Sequence, residues 1–263
     1  MKYKALLLDI DGVLLNKEDD TDQKTWEAIN DLIARGIQVS FVTSRPYGLA
    51  SHLVKKISDH GIHVFENGNF IYEPKDKKVH KAEYLETQLS GEVIQMVKPH
   101  EGNIKIGYSL GDKFMVNENY FDNLKSYMPV NDYSKIDEYC EYNYVSIWLK
   151  DIPSYFGKKI IEIVKNNARI NIYHQNELLD SVFIHPESGN KLEGVKELSK
   201  LTGRSLESSV FIGNDSDDIC LAREVGLSAT PANGIDELKK VSVIVSSYEY
   251  SLSISDIIQK VWG

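Results

Sequence analysis

Short apolar runs alternate with longer amphipathic stretches at both ends of the chain, and the middle breaks that rhythm. Tyr3–Leu8 is an apolar run short enough for a buried strand. Over Asp22–Arg35, Trp26, Ile29 and Ile33 fall on one face of a helix, with Gly36 placed to end it. A second strand is predicted at Ile37–Val42, and Pro46 suits the first turn of a helix whose buried face is Leu49, Leu53 and Ile57, closed by Gly61. Ile62–Phe65 predicts a third strand, turned by Asn67-Gly68 into Phe70–Tyr72.

From Val79 to about Ile184 the chain is rich in Tyr and Asn. Strand-like pieces such as Lys105–Tyr108 and Tyr144–Leu149 surround one amphipathic helix near Tyr155–Asn166, and Gly111 fits a hairpin turn. The first rhythm then returns, with a helix over Lys191–Leu201 (Leu192, Val195 and Leu198 on one face), a strand at Ser209–Ile212, a late strand at Val241–Val245 and a C-terminal helix carrying Leu252, Ile257 and Val261. The prediction is an α/β protein. Residues 1–78 and 184–263 form a Rossmann-like, doubly wound parallel sheet core, and residues 79–183 form an inserted α+β domain.

Composition narrows the function. The chain of 263 residues is 42% hydrophobic and 26% charged, ordinary values for a soluble protein. Its net charge of −9 and scattered Lys and Arg argue against binding nucleic acid through phosphates. A phosphorylated ligand would need a local cation to offset that charge, most simply a metal. Cys140 and Cys220 are far apart and make no disulfide framework, so a reducing, cytoplasmic setting is expected, with Cys220 as buried helix packing. No apolar run is long enough to span a membrane.

Each predicted core strand ends in polar groups. Asp9 and Asp11 follow the first, Thr43 the second, and Gly213-Asn214-Asp215-Ser216-Asp217-Asp218 the strand at Ser209–Ile212; Lys191 begins the helix before it. Carboxyl ends of strands are where open α/β sheets place their ligands. A carboxylate attacking phosphorus needs a metal to screen anion from anion, and donors around the equatorial oxygens. Asp9 suits a nucleophile and metal ligand, and Asp11 a general acid and base. Thr43 and Lys191 would hold the phosphoryl group. Arg45, at a helix start beside the site, suits phosphate contact. Asn67 is turn chemistry before it is a substrate contact. The aromatic run Tyr139-Cys140-Glu141-Tyr142-Asn143-Tyr144 with Trp148 fits strand packing better than a sugar-stacking surface.

These motifs resemble those of the haloacid dehalogenase-like phosphatases. The match covers Asp9–Leu14, Thr43, Lys191 and Gly213–Asp218, in that order. The Cof-type group with a C2 cap is the most similar, through Thr43-Ser44-Arg45-Pro46, Glu66-Asn67-Gly68 and the position of the insert. The resemblance implies a Mg²⁺-dependent phosphatase of small phosphorylated metabolites, sugar phosphates first among them. It works through an aspartyl-phosphate on Asp9, and a cap closes over the site. It implies metal ligands among Asp9, Asp11, Asn214, Asp215 and Asp218, and phosphate contacts from Thr43, Ser44, Arg45 and Lys191. Asn214 departs from the family's usual aspartate: it can coordinate through its carbonyl but brings no charge. Asn214 or Asp215 is therefore expected as the direct ligand, with Asp218 direct or behind it. A phosphosugar mutase and a non-catalytic phosphometabolite-binding protein share these residues. No nucleic-acid or membrane partner is expected, and monomer and homodimer remain open.

Overall fold

A computed structural model describes residues 2–125, 133–136, 143–165, 167–174 and 178–263. Tyr139, Cys140, Glu141 and Tyr142 of the aromatic run lie outside the described residues. The chain divides into two compact units. One comprises Met1–Ser44, Val54–His80 and Asn190–Gly263; the other comprises Arg45–Leu53 and Lys81–Gly189.

In chain order, β1 (Ala5–Leu8) leads to α1 (Gln23–Ala34), β2 (Gln38–Phe41) and α2 (Tyr47–Lys55). Asp22 caps α1 by accepting from Lys24 N–H at 3.0 Å, satisfying one of the donors that every helix start exposes. β3 (His63–Phe65), β4 (Phe70–Glu73) and β5 (Lys78–Ala82) follow as a three-stranded sheet. The insert contains α3 (Thr87–Val97), β6 (Lys105–Ser109), β7 (Phe114–Val116), α4 (Glu118–Lys125), β8 (Tyr133–Lys135), β9 (Ser146–Pro153), α5 (Ser154–Val164), β10 (Arg169–His174) and β11 (Leu179–His185). The chain returns through α6 (Lys191–Thr202), β12 (Ser209–Ile212), α7 (Ile219–Glu224), β13 (Leu227–Thr230), α8 (Asp236–Val241), β14 (Ile244–Val245) and α9 (Tyr250–Trp262).

The first unit is built on a parallel sheet ordered β14-β13-β12-β1-β2. All four residues of β1 and of β12 are buried, as in sheets with both faces covered. Leu7 and Phe211 pack with Val195 and Leu198 of α6 and with Leu221 and Leu238. The second unit has a six-stranded sheet ordered β10-β11-β9-β6-β7-β8, antiparallel apart from the β7–β8 pair. Ile106, Ile147, Leu149, Val182 and Ile184 pack with α3 and α5 in one cluster. Phe114, Tyr120, Trp148 and Leu49 form another. The expected fold class, a parallel α/β core with an additional α+β unit, is borne out.

The expected third strand and its turn at Asn67-Gly68 are present as the antiparallel β3–β4 hairpin, with one parallel bridge from Val42 to Val64. Two expectations are corrected. The late strand is shorter than Val241–Val245: Asp236–Val241 is helical, and only Ile244–Val245 pairs with β13. Lys239, Lys240 and the acids before them keep that segment helical, because charged residues on both flanks suit a short surface helix. Cys220 is exposed, because α7 buries Leu221 and Ala222 instead.

His63 lies wholly inside the first unit, stacked on Phe41 with centroids 5.2 Å apart, and its Nδ1 accepts from Phe41 N–H at 3.0 Å. Burial lowers its pKa to about 3, so the folded chain keeps the imidazole neutral. The unfolded chain takes up that proton near the ordinary value of 6.5, so this stability is complete above pH 6.5 and is lost as pH falls toward the folded value. Urea denaturation should show stability falling by on the order of 1–3 kcal/mol between pH 6.5 and pH 4.5. His63→Asn, which keeps an acceptor for Phe41 N–H, should flatten that slope.

Candidate active site

The parallel pairing of β1 with β12 places Leu8 beside Ile212, so the loops after both strands leave the sheet together. Asp9 N–H donates to Ile212 O at 3.0 Å and ties the loops at their root. The chain then folds back, with Leu14 and Leu15 N–H both bonded to Ile10 O at 2.9 Å. Gly12 sits in the left-handed region at φ 75°, and the Asn214 side chain fills the space its Cβ would take. Gly213 is equally constrained, because a Cβ there would approach the Asp218 carboxylate to 2.6 Å.

At the centre is a buried ion triad. Lys191 Nζ lies 3.0 Å from Asp9 Oδ1 and 2.7 Å from Asp218 Oδ1. Asp9 and Lys191 are each 5% exposed, and Asp218 is fully buried. Lys191 is held there because it opens α6, whose cap Asn190 accepts from Glu193 N–H at 2.8 Å. Burial, opposed by Lys191 and aided by the charges of Asp218 and Asp11, pushes the Asp9 carboxyl up to about 8. For Lys191, burial favours the neutral form, but Asp218 and Asp9 outweigh it and hold the ammonium above its usual value. Asp11, two residues from Asp9, is exposed. Two carboxylates in such different surroundings suit two different roles.

The loop after β12 is ordered by its own acids. Asp218 Oδ2 accepts from Asn214 N–H at 2.8 Å and from Asp215 N–H at 3.1 Å. Asp215 is exposed and accepts from Ser216 N–H at 2.6 Å in a capping box with Asp218. Both acids are therefore engaged in shaping the loop. Among the described residues no three His, Cys, Asp or Glu side chains are grouped to hold a metal. A mixed oxygen set is present instead: the Asn214 amide reaches Asp11 O at 2.8 Å and Asp9 Oδ2 at 3.2 Å. Carboxylate, backbone carbonyl and amide carbonyl are the hard oxygen donors that suit Mg²⁺. The residues therefore fit the metal, with Asp11 offering its main-chain oxygen.

Thr43 is buried and clamped at both ends, its N–H donating to Val64 O at 2.9 Å and its carbonyl accepting from Asn67 N–H at 3.0 Å. Ser44, half-buried, follows it. Arg45 belongs to the segment that groups with the second unit. Asn67 and Glu66 both adopt positive φ, 55° and 52°, beside the Thr43 carbonyl. Gly68 packs on α6, where a Cβ on Gly194 would lie 2.7 Å from Gly68 Cα. The turn that holds Thr43 is thus seated on the helix that carries Lys191.

Asn233 was not foreseen. Its Nδ2 donates to Gly12 O at 2.9 Å and its Oδ1 accepts from Tyr250 N–H at 2.9 Å, while Ile235 N–H donates to Asn214 O at 2.9 Å. One loop after β13 therefore holds both acceptor-bearing loops. Thr230-Pro231-Ala232-Asn233-Gly234 was recognisable as turn chemistry, but its partners are distant in sequence.

A parallel α/β core thus gathers at its strand ends a buried aspartate, a lysine and a group of oxygen acceptors. The chain belongs to the haloacid dehalogenase-like hydrolases, whose sequence profile matches residues 6–258. It is a phosphoric monoester hydrolase of the Cof-type branch. It is similar to phosphoglycolate phosphatase 1 of Saccharolobus solfataricus, at 23% identity over 98% of this chain and 95% of that one. Its fold matches a haloacid dehalogenase-like hydrolase from Bacteroides thetaiotaomicron with a TM-score of 0.83, at 14% identity over 99% of this chain and 100% of the other. The HAD subclass IIB sugar phosphatase BT4131 matches at a TM-score of 0.71 and 17% identity, over 98% of each chain.

Removing the cation from the triad leaves two buried carboxylates face to face. Lys191→Met should lower unfolding stability at pH 7.5 by about 3–5 kcal/mol, read by urea denaturation. A loss under about 1 kcal/mol would show that the triad is not closed in solution.

Proposed function

We propose that the protein is a Mg²⁺-dependent phosphatase of small phosphorylated metabolites that works through an aspartyl-phosphate on Asp9. The observation that carries this reading is the juxtaposition of buried Asp9, exposed Asp11 and Lys191 beside an oxygen set suited to a divalent cation. Asp9 Oδ2, the Asp11 carbonyl and the Asn214 carbonyl would hold Mg²⁺. Bound there, Mg²⁺ would screen the anionic nucleophile from the anionic phosphoryl group.

Asp9 attacks phosphorus, forming the Asp9–phosphorus bond as the bond to the leaving oxygen breaks. Asp11 gives its proton to that leaving alkoxide. Asp11, now a base, takes a proton from water. The water oxygen attacks phosphorus, releasing inorganic phosphate and regenerating the Asp9 carboxylate. Lys191 favours the ionised form of Asp9 against the cost of burial and balances charge on the equatorial oxygens, where the Thr43 and Ser44 hydroxyls donate. Asp218 acts behind them by holding Lys191 and the loop of Asn214. Phosphoglycolate and sugar phosphatase activities named for the relatives support small organic phosphates as substrates, sugar phosphates first among them.

Phosphate release should be measured from a panel of sugar phosphates, phosphoglycolate and an aryl phosphate, with Mg²⁺ and with chelator. Release that requires Mg²⁺ is expected; isomerised sugar phosphate without free phosphate would point to a mutase instead. Asp9→Asn should lower turnover by about 10³-fold or more. The same substitution should raise Tm at pH 7 by about 2 °C or more, because burial disfavours the ionised acid it replaces. Unchanged turnover in Asp9→Asn would overturn the mechanism.

A further inference from the structure

The uncharged side chain at position 214 gives the site a property that an acid could not. The Asn214 side-chain oxygen faces two acceptors, Asp11 O and Asp9 Oδ2; turned over, its Nδ2 would donate to them at 2.8 and 3.2 Å. These are the same two oxygens that, with the Asn214 carbonyl, make up the set assigned above to Mg²⁺. An amide carries a donor on one side and an acceptor on the other, in nearly the same shape. A half-turn about its last bond exchanges the two without moving the backbone.

We propose that Asn214 stands in for the metal in the metal-free protein. Its amide nitrogen holds the Asp9 and Asp11 oxygens together, and the amide turns to present its oxygen when the cation arrives. The proposal rests on the metal assignment under Proposed function.

The surroundings fix where the amide sits. Asn214 N–H is bonded to Asp218 Oδ2 at 2.8 Å, and Asn214 O accepts from Ile235 N–H at 2.9 Å, so its backbone is held on both sides. Gly12 has no side chain to crowd the amide, which occupies the space a Cβ would fill. A carboxylate at this position would place a third oxygen, and a further charge, against Asp9 and the Asp11 carbonyl where the amide can offer its N–H protons. The repulsion would be felt at full strength wherever no cation is bound. Once a cation binds, the added charge would tighten the site. The asparagine therefore exchanges metal affinity for a site already assembled before the metal binds.

Asn214→Asp separates the two states. In chelator it should unfold at a Tm lower than wild type by about 3 °C or more. Calorimetric titration should show it binding Mg²⁺ about tenfold more tightly, with a larger rise in Tm on loading. In wild type, the Asn214 side-chain amide should give a slowly exchanging ¹⁵N resonance pair in chelator, and Mg²⁺ should shift it and speed its exchange. If Asn214→Asp matches wild type in chelator, or the Asn214 amide pair is indifferent to Mg²⁺, the proposal is overturned while the phosphatase reading stands. Should Asn214→Asp fail to fold, the wild-type amide resonances decide alone. Absence of any Mg²⁺ heat with wild type would overturn the metal assignment and this proposal with it.

Discussion

The site depends on one arrangement, a lysine ammonium between two buried carboxylates. Lys191 lies within 3.0 Å of Asp9 and 2.7 Å of Asp218, where water is almost excluded. The lysine makes the set possible, because without it two carboxylates would face each other in a poor dielectric, whereas either carboxylate alone would still pair with it. Much of the local architecture follows from that requirement. α6 must begin at residue 191, so Asn190 caps it. Asp218 must turn inward, so two backbone N–H groups of its own loop meet its second oxygen, and Gly213 gives it room.

The triad also separates two acids that are only two residues apart. Asp9 is enclosed and shares the lysine; Asp11 is exposed and offers its carbonyl to the oxygen set. Gly12 makes the reversal between them and the following turn possible, and Asn233 holds the reversal by its carbonyl. The loops after β1, β12 and β13 are therefore mutually braced, each through main-chain atoms of another. Bracing of this kind holds the polar groups of the three loops in fixed positions, the preorganisation on which electrostatic catalysis depends.

Legibility in the chain followed the range of the interaction. Asp9, Thr43, Lys191 and the acidic loop could be read because each sits at a fixed place relative to a strand or helix with a clear apolar pattern. α8 was missed because its apolar and charged residues fit a strand and a helix alike over so few positions. Cys220 was placed inside because a helix this short has no resolvable periodicity. The different duties of Asp215, Asp218 and Asn214 could not be ranked from a run of similar polar residues, since the capping box that engages Asp215 exists only once the loop is closed.

By itself the sequence determined the alternation of strands and helices, the insert that interrupts it, and which strand ends carry polar and charged side chains, because local propensity and periodicity act over a few residues. Only the tertiary structure decided which of these groups meet. Lys191 reaches Asp9 across 182 positions of chain, and Asn233 reaches Gly12 across 221. Those distances close only when parallel pairing of β1 with β12, and of β12 with β13, brings their loops to one edge of the sheet. Burial then sets the charge state of Asp9, a property of the packed surroundings that no stretch of its own neighbours encodes.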